Sequence, residues 1–380
     1  MIIMNMQTNA KTKTEKDMKT KTKAFEKHLK AHALRHPSMS PQDAVKLCFQ
    51  AAFGAEHLLS DKTKAMEYLQ EEYLQTPAQD IETFEPISDD YVRCNLAAWK
   101  YRGLPMVWLF EMFCQSAGME SAAKTEAQEQ AQTLFLEYLE AVGICIVDGL
   151  LPFDSSEWLS FKERYLSTGV NPVRHSQAYR EHEHPAYRII RREYALALPI
   201  LEKASAIDAK TPKVIAIDGR AAAGKSTIAA ILSAVLKSDV VCMDDFFLPP
   251  ELRTAERSAE SGGNIHYERF CAEVLPFLKR GEGFSYRCFD CSIMDFGASR
   301  LIQSDTWRIV EGSYSSHPIF GSYADLRVFC DIAPEEQRQR ILKRNGRAMA
   351  LVFAEKWIPM EEQYFANERV REKADIAIHL

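Results

Sequence analysis

The chain has no long apolar run among its 380 residues. The best candidates, around 105–113 and 141–147, are broken by Glu111 or stopped by Asp148, far short of the ~20 apolar residues of a membrane-spanning helix. The opening Met1-Ile2-Ile3-Met4 is too short for the apolar core of a secretory leader. An excess of one charge is also missing. The 47 basic and 53 acidic residues leave a net charge of −6, which gives no whole-protein argument for nucleic acid or an anionic membrane. Nine cysteines, an odd number in a long chain, suit reduced thiols better than a disulfide framework. The composition, 46% hydrophobic and 26% charged, excludes a wholly disordered or collagen-like chain. These readings give the expectation of a soluble, cytoplasmic protein of at least two domains, with neither nucleic acid nor membrane as partner.

The two halves differ in texture. Residues 1–23 form a Lys/Thr-rich tract with almost no apolar content, expected to be a disordered tail. Residues 24–203 are expected to form an all-α domain. Ser40 reads as an N-cap, with Pro41 at the first helical position and Asp43 in the first turn of PQDAVKLCFQAAF. Asp61 reads as the cap of a run in which Ala65, Tyr68, Leu69 and Tyr73 fall near one face. YVRCNLAAWKY and YRIIRREYALALPILEKA read as further helices. Residues 204–212 are small and polar, end in Pro212, and read as a linker. Over 213–380 the short β-rich runs KVIAID, SDVVCMD, WRIVEG, LRVFCDI and ADIAIHL alternate with helical patterns. That alternation predicts an α/β domain with a largely parallel sheet.

The strongest motif opens this second half. The apolar run Val214–Ile217 leads through Asp218 into Gly219-Arg220-Ala221-Ala222-Ala223-Gly224-Lys225-Ser226-Thr227, a G-x-x-x-x-G-K-S phosphate loop. Glycines let the backbone wrap closely around phosphates with its N–H groups turned inward. Lys225 supplies a point charge, Ser226 offers a hydroxyl to Mg²⁺, and the helix that follows presents its positive end. Ile228, Ile231, Leu232, Val235 and Leu236 share one face of that helix. One helix and one strand later, Val240–Met243 ends in Asp244-Asp245. There one carboxylate could take a hydroxyl proton and the other hold Mg²⁺ through water.

VIAIDGRAAAGKST, MDDFFLP and IVEG together resemble the uridine kinase family of P-loop small-molecule kinases, over about 213–380. The resemblance implies an α/β P-loop kinase fold, ATP and Mg²⁺, and a small-molecule hydroxyl acceptor. It implies Asp244 as the base and Asp245 as its alternative or a metal-side carboxylate. It also implies Glu311 as the late acid near Mg²⁺. GNIHYERF stands in the place of an acceptor-binding segment, which makes His266 and Tyr267 candidates; relatives often carry an aspartate about where His266 stands. Tyr286-Arg287-Cys288-Phe289-Asp290 resembles the family's Tyr-Asp-Phe stretch, so Tyr286, Arg287 and Asp290 are candidate acceptor contacts. PEEQRQRILKRNGR resembles the arginine-bearing lid, with Arg338, Arg340, Arg344 and Arg347 on or near one helix and Arg340 and Arg344 expected at the phosphates. A homo-oligomer is an open expectation.

Other features stay outside the resemblance. Cys288-x-x-Cys291 lacks a second ligand pair for zinc and reads as structural thiols. His57 reads as a helix-end histidine. The stretch 171–188 carries three arginines, three histidines and two tyrosines. It reads either as a polar surface segment, or as an anion site, or as a metal site built on His182 and His184 with Glu181 and Glu183. Two functions follow from the sequence. The first is an ATP-dependent kinase acting on a small-molecule hydroxyl, most readily a nucleoside. The alternative is a nucleotide-gated binding or regulatory module whose helical half holds a ligand or partner.

Overall fold

A computed structural model of the chain describes residues 2–55, 61–117, 124–208, 212–304 and 306–379; His57 lies outside them. The chain divides into two compact units, Met1–Ala195 and Leu196–Leu380.

The first unit contains helices α1 (Ile2–Arg35), α2 (Pro41–Phe53), α3 (Lys62–Gln75), α4 (Leu96–Tyr101), α5 (Met106–Ala117), α6 (Lys124–Val147), α7 (Ser155–Ser167) and α8 (Gln177–Glu183). Asp43 accepts from the Ser40 amide at 3.1 Å and the Ser40 hydroxyl at 2.7 Å, and Asp61 accepts from the Thr63 and Lys64 amides at 2.9 and 3.2 Å. Both expected caps therefore satisfy orphan donors at a helix start. On α3, Leu69 is buried while Tyr68 is exposed.

Two expectations for this half need correction. The Lys/Thr tract belongs to α1 and is not a disordered tail. Further along that helix Phe25, Leu29, His32 and Ala33 are buried, and a helix anchored there extends upstream at little nucleation cost. The half also carries a small antiparallel sheet in the order β1 (Phe84–Pro86), β2 (Tyr91–Asn95), β3 (Tyr187–Arg191). Its strands include YVRCN and YRIIR, both expected to be helical. Val92, Arg93 and Cys94 are buried in succession, as are Ile189 and Ile190. A strand covered on both faces loses the alternation that marks it in a sequence.

In the second unit, α9 (Leu198–Ser205) takes up the first residues of the expected linker. There follow β4 (Lys213–Gly219), α10 (Lys225–Leu236), β5 (Asp239–Cys242), α11 (Ala255–Ala259), α12 (Tyr267–Glu273), the hairpin β6 (Phe284–Asp290) with β7 (Asp295–Ile302), β8 (Trp307–Glu311), β9 (Leu326–Asp331), α13 (Pro334–Val352), α14 (Ile358–Glu368) and β10 (Ile376–His379). The five expected strands form a parallel sheet in the order β10-β9-β4-β8-β5. The hairpin β6–β7 had no counterpart in the sequence reading.

Val214–Ile217 are wholly buried, and α10 lays Ile228, Ile231, Leu232, Val235 and Leu236 into the core, as its periodicity predicts. Each such side chain contributes about 1.5–3 kcal/mol by leaving water. The chain leaves β4 for one side of the sheet and later returns to its other side. That reversal opens a crevice at the carboxyl ends of β4, β5 and β8, the usual ligand position in an open parallel sheet. Among the described residues no helix is long and apolar enough to cross a membrane.

Candidate active site

The phosphate loop links β4 to α10, and its backbone demands its glycines. Gly219 has φ 133°, and a Cβ there would lie 2.0 Å from the Cys330 carbonyl oxygen of β9. Gly224, with φ 87°, starts α10. Ala222 also sits at positive φ, 60°, where an L-residue costs roughly 1–2 kcal/mol. Lys225 Nζ folds back along the loop and donates to the carbonyls of Gly219 at 2.7 Å and Arg220 at 2.9 Å. The Ser226 hydroxyl lies 3.3 Å from both carboxylate oxygens of Glu311 at the end of β8.

Side chains from the last two helices brace this loop. Gln337 Nε2 donates to the Ala221 carbonyl at 3.0 Å. The Ala221 amide donates to Glu361 Oε2 at 2.9 Å, and the Ser313 hydroxyl donates to Glu361 Oε1 at 2.6 Å. Arg220 forks onto Glu362 at 2.5 and 3.0 Å and bonds Asp331. Asp218, fully buried, accepts from the Tyr314 amide at 3.2 Å, the Ser316 amide at 2.9 Å and the Tyr364 hydroxyl at 2.9 Å. It thereby fixes the turn after β8.

Two carboxyl groups face the loop. Asp244 lies in the tight turn 243–246 after β5, open to the cleft but crowded by its walls. Desolvation there raises its pKa and the neighbouring Asp245 raises it further, while Lys225 and Arg344 pull it back. Glu311 is raised by desolvation and by the charge of Asp244, against the opposing pull of Lys225. Both carboxyls are thus raised by desolvation and held back by the same ammonium, Lys225.

A cleft of about 610 Å³ brings together residues 221–227, Asp244, Glu311, Arg340 and Arg344. Arg340 reaches the Ala222 carbonyl at 3.3 Å and Glu336 at 2.6 Å. Arg344 is exposed and bonds Asn345 at 2.8 Å. Both stand on α13, which breaks its helical geometry at Gly346 (φ 76°).

The expected acceptor residues do not line this cleft. Asp245 is tied to the Tyr286 hydroxyl at 2.8 Å and Arg300 Nε at 3.0 Å, so both Asp245 and Tyr286 are spent on packing the hairpin against the turn. His266 starts α12 and bonds Glu268 at 3.0 Å. Tyr267 lies under the Arg257 guanidinium, 3.6 Å from its ring centre, and bonds Glu260 at 2.9 Å. Arg287 is exposed over the Phe296 ring, and Asp290 caps the hairpin turn at Ser292. In their place the wall near Asp244 is formed by Phe247, Asn264, Ile265, Cys291 and Trp357. Phe247 sits two residues beyond the Asp pair, and Asn264 and Ile265 immediately precede His266. The segments were therefore identified, but the face each presents depends on turn geometry that spacing does not encode. Glu361 carried no signal: a Glu-Glu pair in a C-terminal helix reads as a solvated face.

No protein-family model and no curated protein matches the chain. Solved structures that resemble it each cover about half of it. One is a Bacillus stearothermophilus protein described as a possible uridine kinase, 20% identical, with a TM-score of 0.38 over 48% of this chain and 97% of that one. Another is a Silicibacter sp. TM1040 protein described as a candidate fructose transport system kinase, 21% identical, with a TM-score of 0.39 over 49% of this chain and 98% of that one. A third is the D-glycerate 3-kinase of Cryptococcus neoformans var. grubii, 14% identical, with a TM-score of 0.31 over 44% of this chain and 86% of that one.

Proposed function

We propose that the second unit transfers the γ-phosphoryl group of ATP to a hydroxyl of an uncharged small molecule, a nucleoside. The observation that carries this reading is one cleft holding both the Lys225–Ser226 end of the phosphate loop and the crowded Asp244 carboxyl. Nucleotide phosphates would lie against the loop amides and Lys225, displacing that ammonium from the carbonyls it now bonds. Asp244 would accept the acceptor's hydroxyl proton as the oxygen attacks phosphorus. Its raised pKa brings it closer to the range useful for a base. Arg340 and Arg344, on a helix with a break at Gly346, would bring charge to the transferring group.

The Ser226 hydroxyl and the Glu311 and Asp244 carboxylates are hard oxygen donors that fit Mg²⁺. When bound, that ion would neutralise phosphate charge. The wall of Phe247, Ile265 and Trp357 is apolar, with two aromatic rings tilted 45° to one another. It suits an aromatic base better than a phosphorylated sugar.

The test is ADP release with Mg·ATP across nucleosides, nicotinamide riboside, pantothenate and phosphorylated sugars, with Lys225→Ala as the blank. Acceptor-dependent release that peaks with a nucleoside and vanishes in the blank is expected. Release indifferent to every acceptor would overturn the kinase reading in favour of an ATP-hydrolysing or ATP-sensing module.

A further inference from the structure

The first unit encloses a cluster of ionisable side chains that the chemistry above does not use. It is not the group expected around His182 and His184. His182 Nδ1 bonds the Ala178 carbonyl, and Glu183 turns inward to His36 Nδ1 at 2.8 Å and the Ser38 hydroxyl at 2.5 Å. What the fold assembles instead is His32 and His36, four residues apart at the end of α1, with Glu85 from β1. Histidines at that spacing present their rings on one side of a helix.

We propose that His32, His36 and Glu85 bind a divalent first-row transition metal, with Zn²⁺ as the preferred ion. One donor atom from each residue lies within 4.8 Å of the others. Glu85 Oε1 is 2.5 Å from His32 Nδ1 and 3.3 Å from His36 Nε2. Zinc bonds of about 2.0–2.2 Å place tetrahedral donors about 3.4 Å apart. One spacing already fits, and turning the carboxylate opens the other.

Three further observations point the same way. His36 Nε2 is buried and forms no hydrogen bond of proper geometry. Such an orphaned nitrogen is costly unless something takes its lone pair. The other nitrogen of that ring faces Glu183, itself held by Ser38. This is the carboxylate–histidine arrangement that orients a metal-binding imidazole. A cavity of about 80 Å³ borders His36, Glu85 and Glu183 and has room for a water as fourth ligand.

Two guanidiniums flank Glu85: Arg35, 4.0 Å from Oε1 and paired with Glu82 at 2.7 Å, and the buried Arg93, 3.7 Å from Oε2. Arg93 Nη1 stands 3.5 and 3.3 Å from the two nitrogens of His32, nearly equidistant, so it is not aligned with either one alone. Glu82, Glu85 and Glu183 set three carboxylates against those two guanidiniums, which leaves the cluster attractive to a further cation.

The test is Zn²⁺ and Co²⁺ titration of the metal-stripped full chain with ATP absent, read by calorimetry and by the Co²⁺ visible spectrum. The chain is compared with His36→Gln, Glu85→Gln and His182→Ala, each checked for retained helix content by circular dichroism. One equivalent should bind with a spectrum of nitrogen and oxygen donors and no thiolate charge-transfer band. Affinity should fall at least tenfold in His36→Gln and stay unchanged in His182→Ala. If Glu85→Gln does not fold, His36→Gln decides the matter alone. Absence of stoichiometric binding, a thiolate spectrum, or affinity indifferent to His36→Gln would overturn the proposal.

Discussion

Asp244 and Asp245, adjacent in the chain, have opposite surroundings: Asp244 opens into the cleft beside the phosphate loop, while Asp245 is clamped between Tyr286 and Arg300. The pair should therefore separate cleanly by mutation. Asp244→Asn keeps the size of the side chain and removes the base. Turnover should fall by at least a hundredfold, the usual share of a positioned base, with nucleotide affinity unchanged by calorimetry. Asp245→Asn should instead weaken the ion pair that fixes the hairpin. It should lower thermal stability while leaving turnover within a few-fold. Near-normal turnover in the Asp244 variant would remove that residue from the mechanism.

The raised pKa of Asp244 has a sign. A base works deprotonated, so activity should rise with pH through the pKa of this carboxyl. Desolvation and the charge of Asp245 move that limb above the ordinary aspartate range. Arg344→Ala removes one of the two cations that hold this pKa down and should push the limb higher still. Residual turnover in that variant, measured against pH beside the parent chain, checks the direction.

The second unit was the more legible of the two, for physical reasons. The five strands of its parallel sheet are short, β-rich and set between helices of clear period, and all five were located; the loop from Gly219 to Ser226 is set by backbone needs that only certain residues meet. The β2 and β3 strands were hidden because Arg93 is buried in the middle of one and Ile189 and Ile190 are buried in succession in the other. The acceptor wall was missed for a different reason. Tyr286 and Asp245 are polar residues near the cleft in sequence, but they satisfy each other, and that pairing exists only once β6 lies against the turn after β5. Glu361 reaches the loop across more than a hundred residues of chain, a contact that a single sequence cannot reveal.

That contact is itself testable. The Glu361 carboxylate accepts from the Ala221 amide and the Ser313 hydroxyl and is nearly fully buried. Glu361→Ala leaves two buried donors without an acceptor, each a loss of about 1–3 kcal/mol. The loop that holds the phosphates should loosen, so ATP affinity should drop five-fold or more while the KM for the acceptor is unchanged. Glu361→Gln retains one acceptor oxygen and should fall between the two. Calorimetric ATP titration of the three proteins checks the order, and equal affinities would dismiss Glu361 as a loop brace.

The first unit should be labile in acid because of His175. Its ring is buried, bonds Asp43 Oδ1 at 2.8 Å and the Tyr187 hydroxyl at 2.7 Å, and stacks on Tyr179 at 4.2 Å. Desolvation outweighs the pull of Asp43 and pushes its pKa down to about 4. The folded state therefore holds the ring neutral where an unfolded chain, with its histidine near 6.5, already takes up the proton. Stability from this residue is intact above about pH 6.5 and is lost as pH falls toward 4. Asp43 adds nothing in that window, since its carboxyl is depressed by His175, Ser176 and Ser40 and is ionised throughout. Between pH 7 and 5 the loss from His175 amounts to about 2 kcal/mol. His175→Asn keeps an N–H for Asp43 without titrating. The variant should start less stable at pH 7, but lose about 2 kcal/mol less than the parent chain on going to pH 5. Native-state hydrogen exchange of the α2 amides, corrected for the intrinsic pH dependence of exchange, reads that difference directly. Equal losses in the two proteins would mean that His175 does not control the acid lability.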